Sequence, residues 1–177
     1  IKWISYSNQI KFRFSVIKND PNYNLVKLFD SDGNTVGQVA AGALPDMIAF
    51  THDTNKAIVA NEGEPSDDYS VAPEGSVTVI DASAVDLAYS ATFSTMTGTQ
   101  VGFGDFNAQE AAPKTAGVRI FGPGATVAQD LEPEYVAVSA DNATATIVLQ
   151  ENNAVATLNL NTNTIDAVHA LGFKDYA

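Results

Sequence analysis

LPDMIAFTHDTNKAIVANEGEPSDDYSVAPEGSVTVID, residues 44–81, is answered near the other end of the chain by EPEYVAVSADNATATIVLQENNAVATLNL, residues 132–160. Aligned, Pro45 matches Pro133, Ile48-Ala49 matches Val136-Ala137, Asp53 matches Asp141 and Ile58-Val59 matches Ile147-Val148. The Val77 to Ile80 run falls on Val155 to Leu158. Each copy reads as strand, polar turn, strand, turn, strand. A unit of three or four short strands repeating every ~40–45 residues is the pattern of a β-propeller blade. The expected fold is therefore all-β: a partial β-propeller of two to four blades of antiparallel strands, with a long irregular loop.

Working outward, residues 10–17 (IKFRFSVI) alternate apolar with polar or charged side chains, the period of a half-buried strand. A turn over 19–22 follows. Residues 25–30 and 35–40 form a hairpin about Ser31-Asp32-Gly33-Asn34, where glycine supplies positive φ. Within the first copy, strands are expected near 47–50, 56–61 and 76–81. Residues 86–116 show no convincing period and read as a loop with a short helix around 108–114. The β pattern resumes at 117–120 and again over 132–160, and 164–171 is the outermost strand. These readings give blade-like units at about 10–43, 44–83 and 132–173, with 84–131 as loop or insertion, all in one domain spanning 1–177.

Composition bounds the chemistry. The 177 residues are 45% hydrophobic, enough for one core, and no apolar run approaches the ~18 residues of a membrane span. With 21 acidic against 9 basic residues, a formal charge of -12 argues against DNA or RNA as partner and favours cations. There is no cysteine, which excludes disulfides and thiolate chemistry. Residues 1–20 show no basic-then-apolar signal peptide, and the chain reads as a piece of something longer.

The strings LPDMIAFT, IVANEGEPSDDY, PEGSVTVID, AGVRIFGPGATVAQDLEPEYVAVS, LQENNAV and LGFKD, spread over residues 25–175, resemble the secreted bacterial propellers of the choice-of-anchor I family. Some members of that family are described as alkaline phosphatase-like. The resemblance implies an exported, extracellular or cell-surface β-propeller of which this chain covers a middle part.

Two candidate sites stand out. Glu62, Glu64, Asp67, Asp68 and Glu74 place five carboxylates in the insertion EGEPSDDYSVAPE, which the second copy lacks. Hard cations such as Ca²⁺ take six to eight oxygen ligands, and a loop between propeller strands can supply several. The spacing is not that of an EF-hand, and a solvated acidic loop is the plain alternative. Arg119, isolated in GVRIFGPG, has the planar fork that suits an oxyanion; the alternative is an ion pair with Asp130, Glu132 or Glu134. Together these residues define a metal-dependent phosphoesterase scheme with Arg119, Glu62 and Asp68 as catalytic groups, in which a metal-held water attacks a phosphoester. The opposing reading is a non-catalytic extracellular module that binds Ca²⁺ for rigidity or adhesion. His52 and His169 read as surface residues, no G-x-S-x-G elbow occurs, and the glycines of VGFGDF lack a βαβ context. The polar bend Gln150-Glu151-Asn152-Asn153 corresponds in the repeat to Asn61-Glu62, so both are expected on one propeller face. A few blades without ring closure leave sheet faces and edges open, so the chain alone is expected to self-associate.

Overall fold

The computed structural model describes residues 4–6, 11–13, 24–29, 35–82, 97–173 and 175. The chain is a partial β-propeller built from antiparallel sheets. Strands β5 (Pro45–Phe50), β6 (Lys56–Asn61), β7 (Ser76–Asp81) and β8 (Gly98–Gly102) form one sheet in sequence order. A second sheet is made of β9 (Tyr135–Val138), β10 (Thr144–Leu149), β11 (Ala154–Asn159) and β12 (Thr164–Ala170). Ahead of them come two strand pairs, β1 (Ile4–Tyr6) with β2 (Lys11–Arg13), and β3 (Leu25–Phe29) with β4 (Thr35–Ala40). Each of the two larger sheets is an up-and-down meander, and the first strands of both, β5 and β9, lie beside one another.

The apolar pattern explains the stacking. β6 (KAIVAN) and β7 (SVTVID) are buried on both faces, which requires a near-continuous apolar run. β10 (TATIVL) alternates, burying Ala145, Ile147 and Leu149 and turning Thr144, Thr146 and Val148 outward. Accordingly the β5–β8 sheet is sandwiched. Ile58, Ala60, Val77 and Val79 meet Ile147, Leu149, Ala156 and Leu158 of the second sheet, while Ala57, Val59 and Ile80 pack on Val26, Val39 and Ala41 of the β3–β4 hairpin. Each of these larger aliphatic side chains contributes roughly 1.5–3 kcal/mol by leaving water.

The repeat holds at the level of single hydrogen bonds. In the β5–β6 turn the Thr51 N–H donates to Lys56 O at 3.0 Å, and Lys56 N donates to Thr51 Oγ1 at 3.0 Å. In the β9–β10 turn Ser139 and Thr144 make the same two contacts at 2.9 and 3.0 Å. Asp53 Oδ1 accepts from Asn55 N, and Asp141 Oδ1 accepts from Ala143 N, both at 3.0 Å. The hydroxyl of Thr51 holds the Asp53 carboxyl below its ordinary range, and that of Ser139 does so for Asp141. The two turns touch, with His52 N donating to Asn142 Oδ1 at 2.6 Å, and Lys56 Nζ reaches Leu160 O.

Several expectations change. The stretch 86–116, read as a loop with a short helix around 108–114, carries a helix there, α1 (Ala111–Ala116), but also strand β8 and a 3₁₀ turn at Gly104–Gln109; residues 86–96 lie outside the described residues. β8 escaped notice because GTQVG has one apolar side chain and two glycines, yet its register with β7 runs from Ser76–Gly102 to Ile80–Gly98. Residues 117–120, read as β, form no strand; Val118 and Ile120 are buried beside the second sheet in irregular backbone. Of the strand expected at 10–17, β2 covers Lys11–Arg13, and the turns at 19–22 and 31–34 lie outside the described residues.

The long β6–β7 connection is fixed to the second sheet through Gly75. A Cβ there would collide with the Leu131 carbonyl oxygen and approach Pro133 Cδ to 2.7 Å, whereas one on Gly102 would meet nothing. Gly75→Ala is expected to cost about 1–3 kcal/mol by overpacking, and Gly102→Ala about zero, in urea denaturation of the two variants. Equal stabilities would show that the connection is not held at that point.

Candidate functional site

The β5–β8 and β9–β12 sheets bring the same ends of their strands together: the starts of β5 and β9, the ends of β6 and β10, and the connections that follow each. Residues 62–75 leave β6 there. Glu62 N donates to Leu44 O at 2.9 Å and Gly63 N to Ala43 O at 3.1 Å, extending the β5–β6 ladder past its last pair. Gly63, at φ 66°, then turns the chain so tightly that a Cβ would lie 2.8 Å from Gly75 N. The connection returns under helix α2 (Val127–Asp130), where Gly75 N donates to Ala128 O at 2.9 Å and Gln129 Nε2 to Ala72 O at 2.8 Å. Helix α2 is capped by a reciprocal Thr126–Gln129 box.

Beyond α2 the chain runs through Leu131 and Glu132 into Pro133 and β9. Asn152, fully buried in the β10–β11 turn, fixes this run. Its Nδ2 donates to Asp130 O at 2.5 Å and Arg119 O at 2.8 Å, and its Oδ1 accepts from Glu132 N at 2.9 Å. Arg119 N in turn donates to Asn152 O at 2.8 Å. The 119 segment, the end of α2, Glu132 and the Glu151-Asn152 bend are thereby held as one block.

Glu132 is a buried carboxyl of this block, 8% exposed, beside the still less exposed Asp130. Burial pushes it up, and the negative charges of Glu62, Glu151, Glu64 and Asp130 push it further, to about 7. The charges of Glu62 and Glu64 from the acidic insertion and of Glu151 from the β10–β11 turn thus act on one carboxyl. Asp130 has both oxygens engaged by backbone: Oδ2 accepts from Phe121 N at 2.6 Å and Oδ1 from Gly122 N at 2.7 Å.

The remaining residues singled out in the sequence sit elsewhere in the same region. Asp67, Asp68 and Glu74 lie on the exposed part of the insertion. Asp68 Oδ1 accepts from Ser70 N at 3.0 Å and Ser66 Oγ at 2.8 Å, and these bonds, the Ser70 N–H foremost, bring its carboxyl down to about 2. It is the acceptor of a local turn. Arg119 has an exposed side chain on a backbone anchored to Asn152. His52 and His169 are exposed, away from the block. Among the described residues no three His, Asp or Glu side chains stand at the spacing of a formed metal site. Glu132 entered the sequence reading only as a partner for Arg119. The signal that marks it is the repeat itself, since the position before proline is Leu44 in one copy and Glu132 in the other.

The choice-of-anchor I domain family matches residues 5–177, a longer span than the strings quoted above. Curated proteins give no match. Among solved structures, the periplasmic gluconolactonase PpgL of Pseudomonas aeruginosa is similar at 18% identity and a TM-score of 0.32, over 86% of this chain and 50% of that one. The chain thus spans half the length of that protein. Among the described residues no helix is long and apolar enough to cross a membrane.

The Glu132 proton is bound more tightly in the folded chain, about 7 against an ordinary 4.5, so its contribution to stability is whole below pH 4.5 and is lost as pH rises through 7. Glu132→Gln is expected to remove that loss, making the variant more stable than the parent by on the order of 2–3 kcal/mol at about pH 8 and similar to it at about pH 4.5. Urea unfolding across this range, without divalent cations, checks it. An unchanged pH profile in the variant would place the titration elsewhere.

Proposed function

The chain belongs to the choice-of-anchor I domain family, and from that premise we propose that it is an exported, extracellular β-propeller module whose strand-end carboxylates take up a divalent cation. What supports this reading is the buried Glu132 carboxyl, on which the negative charges of Glu62, Glu64 and Glu151 act from two other segments. Bringing like charges together in a partly desolvated place is costly, and a bound cation reverses the sign of that cost. All the groups are hard oxygen donors, the preference of Ca²⁺. The carboxylates are not at ligand spacing in the free chain, so uptake draws Glu62, Glu64 and Glu151 in toward Glu132. Asp67, Asp68 and Glu74 remain outer candidates on the same insertion.

One observation favours the catalytic version. Arg119 shares with Glu132 the anchor Asn152, through its backbone carbonyl, so the catalytic version has this residue's exposed side chain reach toward the carboxylate group. A phosphoester engaged by the cation would present a second oxygen to that fork. In this version Glu62 is a metal ligand, and Asp68 supports the insertion.

The module reading predicts that Ca²⁺ at tenfold or more above its dissociation constant raises stability by about 1–2 kcal/mol, with an affinity of roughly 0.1–1 mM as in extracellular modules. Thermal melts with CaCl₂, MgCl₂ and EDTA read this, and Glu62→Gln should halve or abolish the rise. Melts that ignore Ca²⁺ overturn the cation site. The same preparations are assayed on p-nitrophenyl phosphate and its diester: turnover that needs Ca²⁺ and disappears in Arg119→Ala establishes the phosphoesterase, and a Ca²⁺-dependent melt without turnover establishes the module.

A further inference from the structure

On the other side of the β5–β8 sheet, toward the β3–β4 hairpin, a cavity of about 450 Å³ opens between Asn24, the backbone of residues 41–44, Pro73 and Gln100. That volume lies within the ~300–1,000 Å³ of small-molecule sites. Among the described residues its lining carries no ionisable side chain: the carboxamides of Asn24 and Gln100 stand among small and aliphatic residues. In a chain of net charge -12 this is a marked difference from the carboxylate group, and it holds even though Pro73 belongs to the acidic insertion and the Ala43 and Leu44 carbonyls accept from Gly63 N and Glu62 N.

The polar half is built rather than incidental. Gln100 stands on β8 and commits one amide hydrogen to Ala41 O at 3.0 Å, which orients its head group at the cavity. Behind the wall, Asn61 is fully buried and gives its amide hydrogens to Thr78 Oγ1 at 2.9 Å and Ser76 Oγ at 3.2 Å, while Gly42 N donates to Thr78 Oγ1 at 3.3 Å. Among the described residues Asn61 Oδ1 has no hydrogen-bond partner, an acceptor left over in a polar layer that residue 42 covers with backbone alone. Only glycine fits at 42, since a Cβ would run into the Ser76 hydroxyl and lie 2.8 Å from Asn61 Nδ2.

We propose that this cavity binds an uncharged polyhydroxylated ligand, a neutral sugar unit, with the Gln100 and Asn24 carboxamides and the 41–44 backbone meeting its hydroxyls and Pro73 and Leu44 packing on its C–H face. Carboxamides suit hydroxyls because each offers a donor and an acceptor side by side. Anions are disfavoured by the net charge, and a wholly apolar ligand would take the free amide hydrogen and the oxygen of Gln100 out of water without replacing their partners. The inference does not depend on the cation reading.

Saturation-transfer NMR on the full chain tests it, with glucose, galactose and maltose as neutral probes and glucuronate and glucosamine as charged counterparts. Transfer from at least one neutral sugar is expected, weaker by about tenfold in Gln100→Leu, the loss of one or two hydrogen bonds, and abolished by Ala43→Phe, which fills the cavity. Gln100 is exposed, so its variant keeps the fold even where Ala43→Phe does not. Glu132→Gln and EDTA should leave the transfer within twofold, separating this site from the carboxylates. No transfer from any neutral sugar, equal transfer from glucuronate, or undiminished binding in Gln100→Leu would overturn the proposal.

Discussion

Asn152 ties together residues that lie 20, 22 and 33 positions away in the chain: Glu132 through its oxygen, Asp130 and Arg119 through its amide hydrogens. A buried carboxamide satisfied on both its oxygen and its nitrogen is worth more than a surface contact, because losing one partner leaves a desolvated group unpaired. The position of Glu132 follows from this clamp on one side and from Gly75, pressed against Leu131 and Pro133, on the other. Held in that way the Glu132 carboxyl is buried, and the charges of Glu62 and Glu64 in the acidic insertion act on it. The charge conflict at the strand ends is thus a product of packing. The fold's apolar stacking, with Ile58 and Val77 of one sheet against Ile147 and Leu158 of the next, provides the stability against which that conflict is maintained.

The two faces of the β5–β8 sheet differ in consequence. Toward the second sheet β6 and β7 present Ile58, Ala60, Val77 and Val79; toward the hairpin they carry Asn61, Ser76 and Thr78, with Gln100 of β8 at the cavity. Strand alternation produces this difference directly, since neighbours such as Ala60 and Asn61 point to opposite faces.

Much of this was legible in the sequence. Thr51-Asp53 and Ser139-Asp141 occupy equivalent turns, and their matching hydrogen bonds are the physical reason the strings align. Strand β8 was not legible, because its pairing with β7 depends on backbone hydrogen bonds that GTQVG offers without an apolar signature. The capping box TVAQ at 126–129 is a local signal for α2, but one turn of helix between a Gly-Pro-Gly loop and a proline is easily read as loop. Glu132 was hidden for another reason: burial of an acidic residue is decided by distant partners, and a Glu before proline carries no local mark of it. Asp68 shows the converse, since a Ser-x-Asp-x-Ser run can be read as a turn acceptor from sequence, and the crowding of acids around it drew attention to a ligand role instead.

The most direct test is a carbon-13 NMR titration of the glutamate side-chain carboxyls, assigned through Glu132→Gln, with and without Ca²⁺. The account predicts that one glutamate, Glu132, titrates at about 7 in the free chain and falls into the ordinary carboxylate range when Ca²⁺ is saturating. If Glu132 titrates in the ordinary range without Ca²⁺, or stays at about 7 with Ca²⁺ saturating, the crowded carboxyl is not the centre of a cation site.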